Sequence, residues 1–159
     1  MAAAPPGAPS PAARRAAMER QRRRVDYIVA ERFADVAEYA ARSNTVGATV
    51  HVAADEQTYY RLVRRRVGSE VEVHARWDDI VIVRAGRGGM EVGDSVSGAR
   101  RVSGGEWRGG TLGARRMFPL KPGDVLRVPA AVPHAFVADS ALPLELLIIK
   151  VRRPGLPLR

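Results

Sequence analysis

Three side chains in this sequence have the type and setting of metal ligands. His74 and Asp79 stand in the run His74-Ala75-Arg76-Trp77-Asp78-Asp79, which closes at Gly86. His134 ends the run Gly123-Asp124-Val125-Leu126-Arg127-Val128-Pro129-Ala130-Ala131-Val132-Pro133-His134. Each run places its ligand beside a segment of β character and punctuates it with glycine or proline. Two histidines and one carboxylate meeting inside one barrel form the ligand set of a non-haem metal site. Side chains two apart share a face of a regular strand, so Glu72, His74 and Arg76 are expected to point the same way. Charged groups inside a barrel are costly unless they are paired or used. His51, in Thr49-Val50-His51-Val52, stands outside both runs and is read as structural.

The elements that must position these residues are mostly strands. Ala30 to Arg42 carries Phe33, Val36, Ala37 and Ala40 at helical spacing, with Asn44 and Gly47 as stop signals. The period then becomes two. Val50 to Val52, Thr58 to Arg65, Glu70 to Arg76, Ile80 to Arg84, Gly89 to Val92, Thr111 to Phe118, Asp124 to Val128, Ala135 to Val137 and Leu144 to Val151 read as short strands divided by turns. Gly86-Arg87-Gly88-Gly89 is followed by a strand and not a helix, so it reads as a hairpin turn rather than a phosphate loop. Ser97 to Gly110, with five glycines, is expected to be a mobile hairpin or lid. The pattern predicts an all-β sandwich or barrel behind one short helix.

The two runs together resemble the cupin family, whose motifs read G-x5-H-x-H-x3/4-E-x6-G and G-x5-P-x-G-x2-H-x3-N. Gly123, Pro129 and His134 fall at the second motif's Gly, Pro and His, with Ala131 at its second Gly and Ala138 at its Asn. In the first motif Asp79 takes the acidic position and Gly86 the closing glycine. One of the paired histidines is replaced, by Glu72 in one register and by Arg76 in the other. The second register is preferred, because Val73 to Val81 aligns without a gap on small bacterial cupins reading V-H-A-H-x-x-D.

The resemblance implies a cupin-type double-stranded β-helix, or jelly-roll barrel, over residues 25–153. It implies a divalent metal (Fe, Mn, Ni or Zn), at sub-stoichiometric to full occupancy, on His74, Asp79 and His134, with Arg76 in the vacated position gripping an anionic substrate. A metal with three protein ligands keeps open positions, which favours catalysis. The opposing possibility is a degenerate site in which Glu72 and Arg76 neutralise each other. The expected function is thus a metal-dependent cupin enzyme for a small anionic or oxygenated metabolite, such as an oxygenase, isomerase, cyclase or lyase. The alternative is a metal-free binding or sensory cupin.

Composition fits this frame. The chain has 159 residues, 46% of them hydrophobic, enough for one core. It has no cysteine, which excludes disulfides and thiolate metal sites. The longest apolar run, Leu142 to Val151, is interrupted by Pro143 and Glu145, so a soluble protein is expected. Residues 1–24 read as a disordered Ala/Pro- and Arg-rich arm and 154–159 as a tail. Arg14, Arg15, Arg20, Arg22, Arg23 and Arg24 against Glu19 give the arm five of the nine net positive charges. No apolar segment follows those charges, so the arm is read as cytoplasmic rather than as a signal peptide. It could hold phosphates by charge alone, but the body lacks the aromatic interleaving of a base-stacking surface, and nucleic acid is not expected as a partner. A small-molecule substrate and a homodimer are.

Overall fold

The computed structural model describes residues 10–22, 26–42, 47–54 and 56–153. Helix α1 (Pro11–Arg22) falls within the arm for which composition predicted no order. Its local sequence explains it: the Ala13 N–H donates to Ser10 Oγ at 3.1 Å, Pro11 occupies the first helical position, and Ala, Arg, Met, Glu and Gln follow. The rest of the arm and the tail lie outside the described residues. Helix α2 (Glu31–Arg42) has Glu31 in its first turn and Arg42 in its last, matching the helix dipole.

Strands β1 (Gly47–Ala54), β2 (Thr58–Arg65), β3 (Glu72–His74), β4 (Trp77–Ala85) and β5 (Gly88–Gly93) come next. They are followed by β6 (Val96–Ser97), β7 (Arg100–Ser103), β8 (Glu106–Arg108), β9 (Thr111–Leu112) and β10 (Arg115–Leu120). The last are β11 (Val125–Val128), β12 (His134–Ala138) and β13 (Leu144–Arg152). One sheet runs β1-β2-β13-β4-β11 and the other β10-β5-β12-β3-β8-β7, with β6 and β9 paired separately. The pairs are antiparallel, and most neighbours are distant in sequence, as in a jelly roll.

Register shows which side chains face inward. Leu146 lies opposite Val63 and Val83, Ile148 opposite Arg61 and Val81, and Lys150 opposite Tyr59 and Asp79. Leu146, Ile148, Val63, Val81 and Val83 join Met90, Leu120, Phe136 and Leu144 in one buried cluster between the two sheets. Each such side chain contributes about 1.5–3 kcal/mol by leaving water. The opposite face of the first sheet is covered by α2, where Val36 and Phe33 pack on Leu62, Val50 and Leu147. One half of the barrel is therefore apolar, and Tyr59, Asp79 and Lys150 begin a polar half.

Two features of the sequence reading change. The expected strand Thr111 to Phe118 is split into β9 and β10. Ser97 to Gly110 is not a separate lid: β8 pairs with β3, placing Glu106 opposite His74 and Glu72 opposite Arg108, and β7 extends the sheet. Its glycines serve the turns, with Gly105 at φ +96° accepting from the Ala75 N–H at 2.7 Å. Gly86 has a firmer reason to be glycine. Its φ is +82°, and a Cβ there would stand 1.9 Å from the Pro143 carbonyl oxygen.

Candidate metal centre

β3, β4 and β12 bring His74, Asp79 and His134 to one point, and each of these side chains is at most 3% exposed. Cross-strand pairing of His134 with Glu72 adds a second carboxylate. Ligand atoms of Glu72, His74 and His134 all lie within 4.8 Å of one another. The imidazole rings are 5.3 Å apart and tilted by 54°.

The histidines are held from behind. His134 Nδ1 lies 2.9 Å from the Val132 carbonyl oxygen, so Nδ1 carries the donated proton and Nε2 is left bare. His74 Nδ1 lies 2.5 Å from Glu106 Oε2. A carboxylate or carbonyl behind the ring is the usual support of a metal-ligating histidine. Both Nε2 atoms are buried without a hydrogen-bond partner. His74 Nε2 has Glu72 Oε2 at 3.3 Å, out of hydrogen-bonding geometry, and Asp79 Oδ2 at 3.5 Å; Asp79 Oδ2 is 3.9 Å from His134 Nε2. Two buried, unpartnered imidazole nitrogens beside two carboxylates suit a divalent metal.

Asp79, expected as the carboxylate ligand, faces this centre with one oxygen only. Its Oδ1 accepts from Lys150 Nζ at 2.6 Å, and both side chains are buried. The compact group is completed by Glu72 instead. Arg76, expected inside the barrel, is exposed: strand β3 ends at His74, and residues 75 and 76 form the turn into β4. The alternation that would have aimed Arg76 inward therefore stops two residues early. Glu72, not Arg76, lies with the two histidines, the arrangement that the other of the two registers expects. His51 is exposed and outside the group, with its ring 5.6 Å from Tyr59. Trp77 meets Tyr59 edge-on at 5.0 Å.

Sequence reasoning did not assign Glu106, Lys150 or Asp78. Lys150 was legible as a cation in an inward series, Leu144, Leu146, Ile148, Lys150. Asp78 is buried under two arginines, accepting from Arg127 Nη2 at 2.6 Å and Arg153 Nε at 2.9 Å, while Oδ1 accepts from the Ala130 N–H at 2.9 Å. It anchors the loop that delivers His134, and the Ala131 N–H donates to the His74 carbonyl at 2.8 Å in the same loop. Ala131 has φ +66°, the conformation for which glycine is suited. Ala131→Gly is expected to stabilise the fold by about 0.5–1 kcal/mol, the relief of strain exceeding glycine's entropy cost. A urea titration checks this; destabilisation would mean the methyl group is needed for packing.

Ionisation follows from the surroundings. Burial opposes charge on His74, but the hydrogen bond to Glu106 and the contact with Glu72 prevail and raise its pKa. His134 has its pKa lowered by burial, against the pull of Asp79. A lowered folded pKa means that stability falls as pH drops through the ordinary value of 6.5, where the unfolded chain takes up a proton that the folded one refuses. His74 has the opposite sign: its contribution is complete below 6.5 and is lost as pH rises through its raised pKa. The metal-free protein should therefore lose melting temperature from pH 6.5 to 5, before carboxylates titrate, and His134→Gln should lose less. Parallel curves for the two proteins would contradict the assignment.

No family model and no curated protein matches this sequence. Among solved structures the chain is similar to BH2720 from Bacillus halodurans, with TM-score 0.55, 15% identity, and coverage of 83% of this chain and 85% of that one. It is also similar to the polyketide cyclase RemF from Streptomyces resistomycificus, with TM-score 0.50, 14% identity and 69% of each chain covered. A cupin superfamily protein from Desulfitobacterium hafniense aligns over 66% of this chain and 76% of that one, with 16% identity and TM-score 0.46. The chain thus shares its antiparallel jelly-roll fold with BH2720 and RemF. At these identities the likeness concerns the fold alone and leaves activity to be argued from the site. Among the described residues, no helix is long and apolar enough to cross a membrane.

Proposed function

We propose that this cupin barrel is a metal-dependent enzyme acting on a small anionic or oxygenated metabolite. The observation that carries the reading is the pair of buried, unpartnered Nε2 atoms of His74 and His134, each ring fixed through Nδ1 and facing Glu72. Glu72, His74 and His134 would hold the metal, with Asp79 beside them. When bound, a divalent metal polarises a substrate oxygen or acidifies a bound water. Glu106 keeps the His74 ring turned toward the centre. Lys150 balances the Asp79 charge, so the site presents one uncompensated carboxylate fewer to a bound metal. The Tyr59 hydroxyl, its pKa pushed up to about 12 chiefly by burial, stays protonated and serves as a hydrogen-bond donor, not a base. Oxygenation, isomerisation, cyclisation and lyase chemistry all remain within reach of such a site.

The second reading, a metal-free binding cupin, is favoured by one observation: the charges already have protein partners, Asp79 with Lys150 and His74 with Glu106. Elemental analysis separates the two. The enzyme reading expects iron, manganese, nickel or zinc in the purified protein, or uptake of about one equivalent when the metals are supplied singly. A protein that stays empty with all four metals would leave the metal-free reading.

A further inference from the structure

The inward side chains of β2 are Tyr59, Arg61, Val63 and Arg65, as their register with β13 requires. Four basic side chains lie in or beside the polar half of the barrel: Arg61, Arg65, Arg108 and Lys150. Three of them answer the three carboxylates there. Arg65 is 3.6 Å from Glu72, Arg108 is 3.2 Å from Glu106, and Lys150 is 2.6 Å from Asp79. Arg61 has no carboxylate partner among the described residues. Its hydrogen bond, from Nη2 to Thr49 Oγ1, is long at 3.5 Å, and its Nε, like that of Arg65, is buried without a hydrogen-bond partner among the described residues. A partly dehydrated guanidinium with one long hydrogen bond and no carboxylate is a costly arrangement for a fold to keep.

We propose that Arg61 is the anion-recognition residue of the barrel, holding the carboxylate or phosphate group of the small molecule that the site takes. The row containing Arg61 is adjacent to the Tyr59–Lys150–Asp79 row, and Asp79 Oδ2 is 3.5 Å from His74 Nε2, so an oxyanion held by Arg61 would sit one row from that contact. The side chains of Arg65, Glu106 and Arg108 are 20–23% exposed, against 2% for the histidines. The planar fork of arginine matches both kinds of oxyanion. Arg76 was expected to have this task from its motif position, and its exposure on a turn removes it. The inference deepens the reading of the barrel as a small-molecule site, and it holds with or without a metal, since the excess cation belongs to the protein.

The test is calorimetric titration of the full chain, as purified and after dialysis against a chelator, with malonate and with inorganic phosphate as separate probes. The wild type is expected to bind at least one of them in both forms, and the preferred probe tells carboxylate from phosphate. Arg61→Gln should weaken that binding roughly tenfold or more, and Arg61→Lys should fall between, since it keeps the charge and loses the fork. Without ligand, Arg61→Gln should melt no lower than the wild type, because an unpartnered charge has been removed. The proposal is overturned if the wild type binds neither probe in either form, or if Arg61→Gln binds as tightly as the wild type. Failure of the metal reading would look different: no metal retained, and anion binding by the dialysed protein intact.

Discussion

Lys150→Ala is expected to destabilise the protein by about 3–5 kcal/mol, the usual cost of leaving one member of a buried ion pair alone. Lys150 is 1% exposed and donates to Asp79 at 2.6 Å, with both side chains buried. Burial lowers the Lys150 pKa and Asp79 pulls it back, as expected where the pair, rather than the single charge, is tolerated. Urea denaturation measures the loss. The double variant Asp79→Leu with Lys150→Met should recover most of it, because both charges are then gone and the volume is filled. A cost below about 1 kcal/mol for Lys150→Ala would mean that Asp79 finds another partner, and the description of the polar half would have to change.

Glu72→Ala should reduce divalent-metal affinity by about 100-fold, and His74→Ala or His134→Ala by at least as much, since a lost ligand exceeds the effect of a lost ligand support. Competition against a chromophoric chelator reads this directly. Arg76→His should change nothing, because the side chain leaves the barrel at the β3–β4 turn. If Asp79→Ala removes the metal and Glu72→Ala does not, the set is His74, Asp79 and His134, and Lys150 must give up its partner on loading. Affinity should also rise with pH as the raised pKa of His74 is passed, since metal and proton compete for the same ring nitrogen.

The parts of this fold legible in the sequence are those governed by local rules. Thr58 to Arg65 and Leu144 to Val151 alternate cleanly because one face is buried in the barrel, and both appear as strands at nearly those limits. Gly86 and Gly123, with Pro129, mark turns, and the histidines beside them converge as the motif spacing implied. What failed was non-local. Glu106 is 32 residues from His74, inside a segment whose glycines suggested mobility, and only the pairing of β8 with β3 makes it the support of the His74 ring. Arg76 was misplaced because alternation was carried past the end of a three-residue strand. Lys150 and Arg61 were readable as charges at inward positions, but the register that makes one a partner of Asp79 and leaves the other unpaired comes only from the assembled sheet.

If the Nε2 atoms of His74 and His134 and a Glu72 oxygen hold one metal, as proposed, anomalous diffraction will locate it among them. Crystals of the full chain, equilibrated with manganese or zinc and measured at the metal's absorption edge, should show one strong peak. It should lie about 2.0–2.2 Å from Nε2 of both His74 and His134, with a Glu72 oxygen at similar range. Absence of a peak there at saturating metal, or a peak bound to only one of the histidines, would contradict the account.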